Sequence, residues 1–185
     1  FRSIGGLKRI AAVTEKIVPT MVILYLVGTI VICIMNISSM GAVFTSIFKG
    51  AFALKAVGGG IVGSGVKLAV QMGMKRGVFS NEAGLGSSVM VHSNSNVKEP
   101  VRQGMWGIFE VFTDTIVVCT LTALSVLSSG LINLETGQVV DSVTNTGSLV
   151  GQTFGATFGQ FGVAFVAIAL LLFAFSTVLG WSHYG

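Results

Sequence analysis

The sequence predicts an all-α integral membrane protein. Hydrophobic residues make up 52% of the chain and charged residues only 10%, with a mean hydropathy of +0.85. A soluble domain carries about 25% charged residues. Several apolar stretches are also long enough to cross the hydrocarbon core, which takes about 20 residues. The net charge of +4 is small and scattered, so we expect a lipid bilayer and no nucleic acid as partner.

The first predicted crossing covers residues 17–37, which are 21 residues without a charged side chain. Pro19 stands near its start, where a missing backbone N–H is tolerated best. The preceding stretch, residues 4–17, has the pattern of an amphipathic entry helix. The following stretch, residues 38–57, is too short and too charged to span, so we expect a surface or re-entrant helix there.

Two further crossings are predicted at residues 104–128 and 158–181, both strongly apolar. The polar stretch between them is rich in turn-forming residues and predicts a loop. We treat residues 1–185 as one transmembrane domain, and its ends suggest part of a longer protein.

The distribution of basic residues predicts a fourth crossing at residues 60–91. Four basic residues precede the first crossing, and Lys98 and Arg102 follow residue 91, whereas the loop after Leu127 has none. Basic loops face the cytoplasm, so an even number of crossings must separate the two basic segments.

This fourth crossing is unusual because it contains the stretch MKRGVFSNEAGLGSS, residues 74–88. From Gly58 to Gly86 the chain carries three cations, a carboxylate and nine glycines. Irregular backbone at membrane depth survives only where protein buries it or where it lines a cavity, and Gly-interrupted segments mark binding sites in secondary transporters. We therefore predict a helix break, with unwinding at Gly84 and Gly86 and a cap from Ser87 or Ser88. The alternative is that the glycines only permit close helix packing.

Two further polar features lie in predicted crossings. Glu110 and Asp114 share a helix face at i and i+4, either as partners of Arg76 or Lys75 or in ion coupling. Ser176 and Thr177 are adjacent hydroxyls in an apolar run. Hydroxyls can bind a small cation, but they more often bond back to a carbonyl of their own helix.

Other classes of site find little support in the sequence. Cys33 and Cys119 lie in apolar runs without metal-binding spacing, so we expect small core residues. His92 and His183 lie in a predicted polar loop and near the last residue, without a nucleophile beside them, so we expect solvated side chains and no enzyme. A channel or passive subunit stays an alternative to a transporter.

Three stretches closely resemble the sodium:alanine (alanine or glycine:cation) symporter family. They are GMKRGVFSNEAGLGSS, QGMWGIFEVFTDTIVVCTLTALSVLSSG and LLFAFSTVLGWSHYG, and GGLKRIAAVTEKIVP is also similar to that family. The resemblance implies the inverted-repeat fold of the leucine-transporter type. The four crossings would be core helices five to eight, with helix six broken. Helix one, which supplies the other half of the sites, would lie outside this chain.

The resemblance also implies roles for individual residues. Phe79 would cover the substrate, and Ser80, Asn81, Gly84 and Gly86 would lie near substrate or ion. Ser176 and Thr177 resemble the hydroxyl pair of the shared sodium site of this fold, and Ser80 is a candidate ligand of a second sodium.

The implied function is sodium-coupled symport of a small neutral amino acid, alanine or glycine, into the cell by alternating access. The protein would be a multi-pass protein of the cell inner (plasma) membrane. Sodium would be a co-transported ligand, with no cofactor. The alternative is proton coupling through Glu82, Glu110 and Asp114. Alanine, glycine, serine and D-enantiomers are not separated by the sequence.

Overall fold

The protein is helical over the part of the chain that the computed structural model describes, residues 6–52, 60–93, 95–140 and 148–181. Eight α-helices follow one another in these ranges, and a π-helical segment joins α5 to α6. Their bounds are α1 Gly6–Met35, α2 Ile37–Phe52, α3 Gly60–Ser80, α4 Ser87–Ser93, α5 Pro100–Phe112, the π-helical segment Thr113–Val118, α6 Cys119–Ser128, α7 Leu149–Phe158 and α8 Gln160–Trp181. No strand occurs in these residues; the nearest feature is a single β-bridge between Ile132 and Val139.

Three helical stretches of the described residues are long and apolar enough to cross a membrane. They are Glu15–Met35, Pro100–Ser128 and Gln160–Val178. Many of their large apolar side chains are exposed, including Ile23 at 60% and Leu171 at 68%. An apolar exterior of this kind suits lipid and not water. The chain is therefore an all-α membrane protein.

These stretches overlap three of the predicted crossings but differ from them in detail. The entry helix and the first crossing form one continuous helix, α1, so Pro19 lies inside it and not in a first turn as predicted. The second crossing begins earlier, at Pro100. The helix α7 was not predicted, because its 10 residues are too short for a crossing. The fourth crossing, at residues 60–91, stays a prediction, and helices α3 and α4 occupy that stretch.

The chain divides into two compact units. The terminal unit comprises Phe1–Met40 and Leu121–Gly185, and the central unit comprises Gly41–Thr120. In the terminal unit α1, α7 and α8 pack together around Ile32, Phe154 and Val166. Close packing explains two glycines there. A Cβ at Gly162 would overlap the Phe154 carbonyl oxygen, and one at Gly28 would lie 2.7 Å from the Phe154 ring.

The central unit contains α3 to α5 and most of the polar side chains discussed above. It also contains Cys119, which is exposed and is not the core residue that the sequence suggested. The residues predicted to break a helix, 79–86, all belong to this unit.

Candidate functional site

The helix of the central unit is interrupted at the predicted place. Helix α3 ends at Ser80, helix α4 begins at Ser87, and turns connect them. Gly84 and Gly86 have φ angles of +81° and +86°, and Glu82 has a φ of +49°. Side chains disfavour this left-handed region, so glycine at 84 and 86 lets the chain leave the helix at low cost.

Two adjacent residues at the end of α3 bind two adjacent residues of the π-helical segment. The Ser80 hydroxyl donates to the Asp114 carboxylate at 2.6 Å, and the Asn81 side-chain amide donates to the Thr115 hydroxyl at 2.9 Å. The Asn81 amide also donates to the Gly77 carbonyl at 3.0 Å. These bonds fix the start of the break to the neighbouring helix. π-helical turns occur often at functional sites because they displace side chains from the regular helical register.

A second contact joins the two ends of the break. The Ser87 hydroxyl donates to the Glu82 carboxylate, so the first residue of α4 is joined to the connecting turn. The Ser87 hydroxyl proton is therefore directed to Glu82, and capping of α4 by Ser87 or Ser88 stays a prediction. No ion pair joins Glu82 to Arg76 among the described residues, whose ion pairs are His92–Glu110 and Arg102–Glu99.

A cavity of about 870 Å³ lies beside the break. Asn81, Gly84 and Gly86 line it, together with one face of α5 and the π-helical segment. That face is Gly104, Gly107, Ile108, Val111, Phe112, Thr115 and Ile116. A Cβ at Gly84, Gly86, Gly104 or Gly107 would meet nothing within 4 Å, so the glycines leave open space. The cavity is mostly apolar, with polar groups concentrated at the break.

The remaining predicted site residues lie elsewhere. Phe79 is 68% exposed in the last turn of α3, and neither it nor Ser80 lines the cavity. Ser176 and Thr177 belong to α8 in the terminal unit. Both of their hydroxyls donate to the Phe173 carbonyl, at 2.9 Å and 2.8 Å. Each hydroxyl oxygen keeps lone pairs that can accept a cation.

Glu110 has a partner other than those considered from the sequence. Its carboxylate lies 3.6 Å from His92 Nε2, and His92 Nδ1 lies 2.8 Å from the Gln103 side-chain nitrogen. The proposed pairing of Glu110 or Asp114 with Arg76 or Lys75 was therefore wrong. His92 lies in α4, half-buried, and not in a solvated loop as predicted. His183 falls outside the described residues.

The sequence analysis noted Asp114 but missed what Asp114 and Thr115 bind. One signal was available, since polar residues are adjacent at positions 80–82 and again at positions 113–115. The cavity-lining face could also be predicted from the sequence, because its residues follow helical spacing. They are Gly104, Gly107, Ile108, Val111 and Thr115. The π-helical turn had no sequence signal.

Comparison with known proteins gives one consistent result. The family model described as the sodium:alanine symporter family matches residues 2–185. The chain is 41% identical over 184 residues to the sodium/alanine symporter AgcS of Methanococcus maripaludis, covering 98% of this chain and 38% of that protein.

Two Bacillus proteins are similar as well. A sodium/proton-dependent alanine carrier protein of a Bacillus species is 40% identical over 190 residues, covering 99% of this chain and 42% of that protein. The amino-acid carrier protein AlsT of Bacillus subtilis is 36% identical over 184 residues, covering 98% of this chain and 36% of that protein. The chain spans about two fifths of the length of the curated relatives it matches. The chain belongs to the sodium:alanine symporter family, a family of secondary transporters and not of enzymes.

Proposed function

We propose that the protein to which this chain belongs carries out sodium-coupled symport of a small neutral amino acid, alanine or glycine, into the cell. The observation that carries this proposal is the helix break at residues 81–86, anchored by Ser80 and Asn81 to Asp114 and Thr115 beside an open cavity. A broken helix offers backbone groups that a regular helix keeps occupied. The family membership and the printed names of the relatives supply the ion and the substrate class.

The printed names of the relatives favour a small substrate for this cavity. Gly84 and Gly86 border it at the break, and Gly104 and Gly107 border it from α5. Polar groups of Asn81 and of the non-helical backbone orient the ammonium and carboxylate groups. The apolar face of α5 accepts a methyl group. Helices outside this chain would narrow this open cavity, so that larger amino acids bind less well. Phe79 lies outside the cavity lining, so in this proposal its side chain turns toward the cavity to cover the substrate.

Sodium binds at hydroxyl and carboxylate oxygens, the ligands that hard cations prefer. Ser176 and Thr177 form one site, because their hydroxyl protons are directed to the Phe173 carbonyl and their oxygens stay available. Ser80 contributes to a second site, where the neighbouring Asp114 carboxylate supplies negative charge. Sodium is a transported ligand here and not a cofactor.

Transport follows from thermodynamic coupling between the two ligands. Sodium at the Ser80–Asp114 contact orders the start of the break and raises the affinity for the amino acid, and the amino acid raises the affinity for sodium equally. The membrane potential contributes about 2.3 kcal/mol per charge per 100 mV to inward sodium movement. Alternating exposure of the site to the two sides then moves both ligands inward.

The architecture that fits this mechanism is the inverted-repeat fold of the leucine-transporter type. In it, residues 17–37, 60–91, 104–128 and 158–181 would be core helices five to eight. The distribution of basic residues then places residues 94–99 on the cytoplasmic side of the cell inner membrane. The substrate site would be completed by helices outside this chain.

Proton coupling is the second candidate. One relative is named a sodium/proton-dependent alanine carrier, and carboxylates at Glu82, Glu110 and Asp114 lie in or beside the break. In this alternative the protons enter through those carboxylates, and sodium is dispensable.

Uptake of radiolabelled alanine by the full-length protein in proteoliposomes tests the proposal. We expect accumulation with an inward sodium gradient, none when potassium replaces sodium at equal pH, and competition by glycine but much less by glutamine. Uptake that follows a pH gradient and ignores sodium would favour the proton-coupled alternative. No alanine uptake under either gradient would contradict both.

A further inference from the structure

We propose that His92, Gln103 and Glu110 form a proton-binding site that locks α4 onto α5 and thereby tunes the affinity of the helix break for its substrate. The proposal rests on the symport function given above and adds a regulatory ligand, the proton, to it. The three residues join two different helices of the central unit. His92 lies in the last turn of α4, and Gln103 and Glu110 lie on α5.

The geometry places a polar partner beside each nitrogen of the His92 ring. Gln103 Nε2 can donate its hydrogen only to an unprotonated Nδ1, at 2.8 Å, so the neutral ring carries its proton on Nε2 and directs it toward Glu110. When Nδ1 takes up a proton, the Gln103 amide can turn and present its oxygen as acceptor. The imidazolium then faces the Glu110 carboxylate, 3.6 Å away, as an ion pair. Proton uptake thus converts a neutral contact into a charged one.

Among the charged groups around His92, Glu110 is the one that contacts it. Arg102 pairs with Glu99 at 3.0 Å, Lys98 is exposed, and Asp114 and Glu82 accept hydrogen bonds from Ser80 and Ser87.

The site can influence substrate binding because α5 and its π-helical extension hold both halves of the broken helix. Asp114 and Thr115 hold the end of α3, and Gln103 and Glu110 hold α4. Strengthening the second attachment restricts the separation of the two half-helices. The break between them, residues 81–86, then loses less freedom when the substrate binds, and its affinity rises.

Thermal unfolding of the full-length protein in nanodiscs without alanine tests the site independently of transport. We expect the midpoint of the wild type to exceed that of H92Q and of E110Q by about 2 °C or more near pH 5.5, and the differences to vanish near pH 8. H92Q keeps an amide that can bond to both neighbours but takes up no proton. The matched control is E99Q, which removes a carboxylate from the exposed pair with Arg102 and should change neither difference.

The coupling is measured as the KM for alanine at saturating sodium with the cytoplasmic-side pH varied. We expect the wild-type KM to fall about fivefold from pH 8 to pH 5.5 with little change in maximal rate, and the KM of H92Q to stay constant. A pH-dependent KM in H92Q, a constant KM in the wild type, or equal unfolding midpoints at both pH values would overturn the proposal. If H92Q and E110Q both fail to insert while E99Q inserts normally, the cluster has a purely structural role. That result would also overturn the proposal. Absence of sodium-driven uptake with the expected unfolding pattern would contradict the proposed function and leave the proton site supported.

Discussion

The Ser80 hydroxyl donates a 2.6 Å hydrogen bond to the Asp114 carboxylate, joining the last residue of α3 to the π-helical segment after α5. The bond is directed from a hydroxyl at the helix break to a charged group. Asp114 therefore has both an anchoring role in the structure and, in our proposal, a role as an anionic sodium ligand. The two roles can be separated by experiment.

Replacing Asp114 by asparagine separates charge from hydrogen bonding. The asparagine side chain would keep an oxygen that accepts from Ser80 but would carry no negative charge. We expect the sodium concentration for half-maximal uptake to rise at least about tenfold, equivalent to about 1.4 kcal/mol, while the protein stays folded. Glu135→Gln, in the exposed loop after α6, is the control. Unchanged sodium dependence in Asp114→Asn would remove Asp114 from the sodium site.

Alanine at Gly84 or Gly86 tests the backbone conformation of the break. Both residues have positive φ angles and open space around them, so the cost comes from conformation and not from a clash. We expect each change to destabilise the break by about 1–2 kcal/mol and to raise the KM for alanine.

The matched control for these variants is Gly73→Ala. Gly73 lies within α3, has no positive φ, and also faces open space. Alanine favours a helix interior by up to about 1 kcal/mol, so this variant should be neutral or more stable. Equal effects on uptake at positions 73, 84 and 86 would show that the break does not depend on positive φ angles at Gly84 and Gly86.

Most helices could be anticipated from hydropathy, because a span such as 17–37 has no alternative to burial in lipid. The break was also predictable, since Gly84 and Gly86 stand beside Asn81 and Glu82 in a segment too polar for a lipid-facing helix. Both inferences rest on local composition.

Tertiary pairing could not be derived in the same way. Ser80 and Asp114 are 34 residues apart, and the π-helical turn that presents Asp114 and Thr115 has no composition of its own. His92 was misplaced because the short helix α4 lies between turns and a polar linker, where periodicity is too brief to detect. The position of Pro19 was wrong because α1 extends through an amphipathic stretch that hydropathy separates from the crossing.

The double variant Ser176→Ala/Thr177→Ala tests the sodium site of α8. The hydroxyls contribute little to the helix itself, since each only bonds back to the Phe173 carbonyl. We expect normal insertion with sodium affinity reduced about tenfold or more. Thr45→Ala is the matched control, because the Thr45 hydroxyl makes the same kind of bond, to Gly41 at 2.8 Å. Wild-type sodium dependence in the double variant would place the ion elsewhere.

Gly162→Ala tests the packing of α7 on α8. The added Cβ would overlap the Phe154 carbonyl oxygen, a backbone atom that cannot move alone. We expect a loss of about 1–3 kcal/mol of stability, seen as a lower unfolding temperature in detergent. Gly180→Ala, also in α8 but without a neighbour within 4 Å, should not lower it. Similar unfolding temperatures for the two variants would contradict this packing.

Cysteine labelling tests the proposed topology. Lys98 and Glu135 are exposed and lie in the two loops that flank the Pro100–Ser128 crossing. In a background without Cys33 and Cys119, we expect a membrane-impermeant thiol reagent added to intact cells to label Glu135→Cys but not Lys98→Cys. Labelling of Lys98→Cys from outside would invert the topology.

The central claim is that an amino acid moves uphill on the sodium gradient. The most direct measurement is the steady-state ratio of internal to external alanine in proteoliposomes of the full-length protein, with the sodium gradient varied at equal pH and clamped potential. We predict a ratio above unity that rises with the sodium gradient, by up to about tenfold per tenfold gradient for one sodium per alanine. A ratio that stays at unity under every sodium gradient, or follows only a proton gradient, would contradict the account.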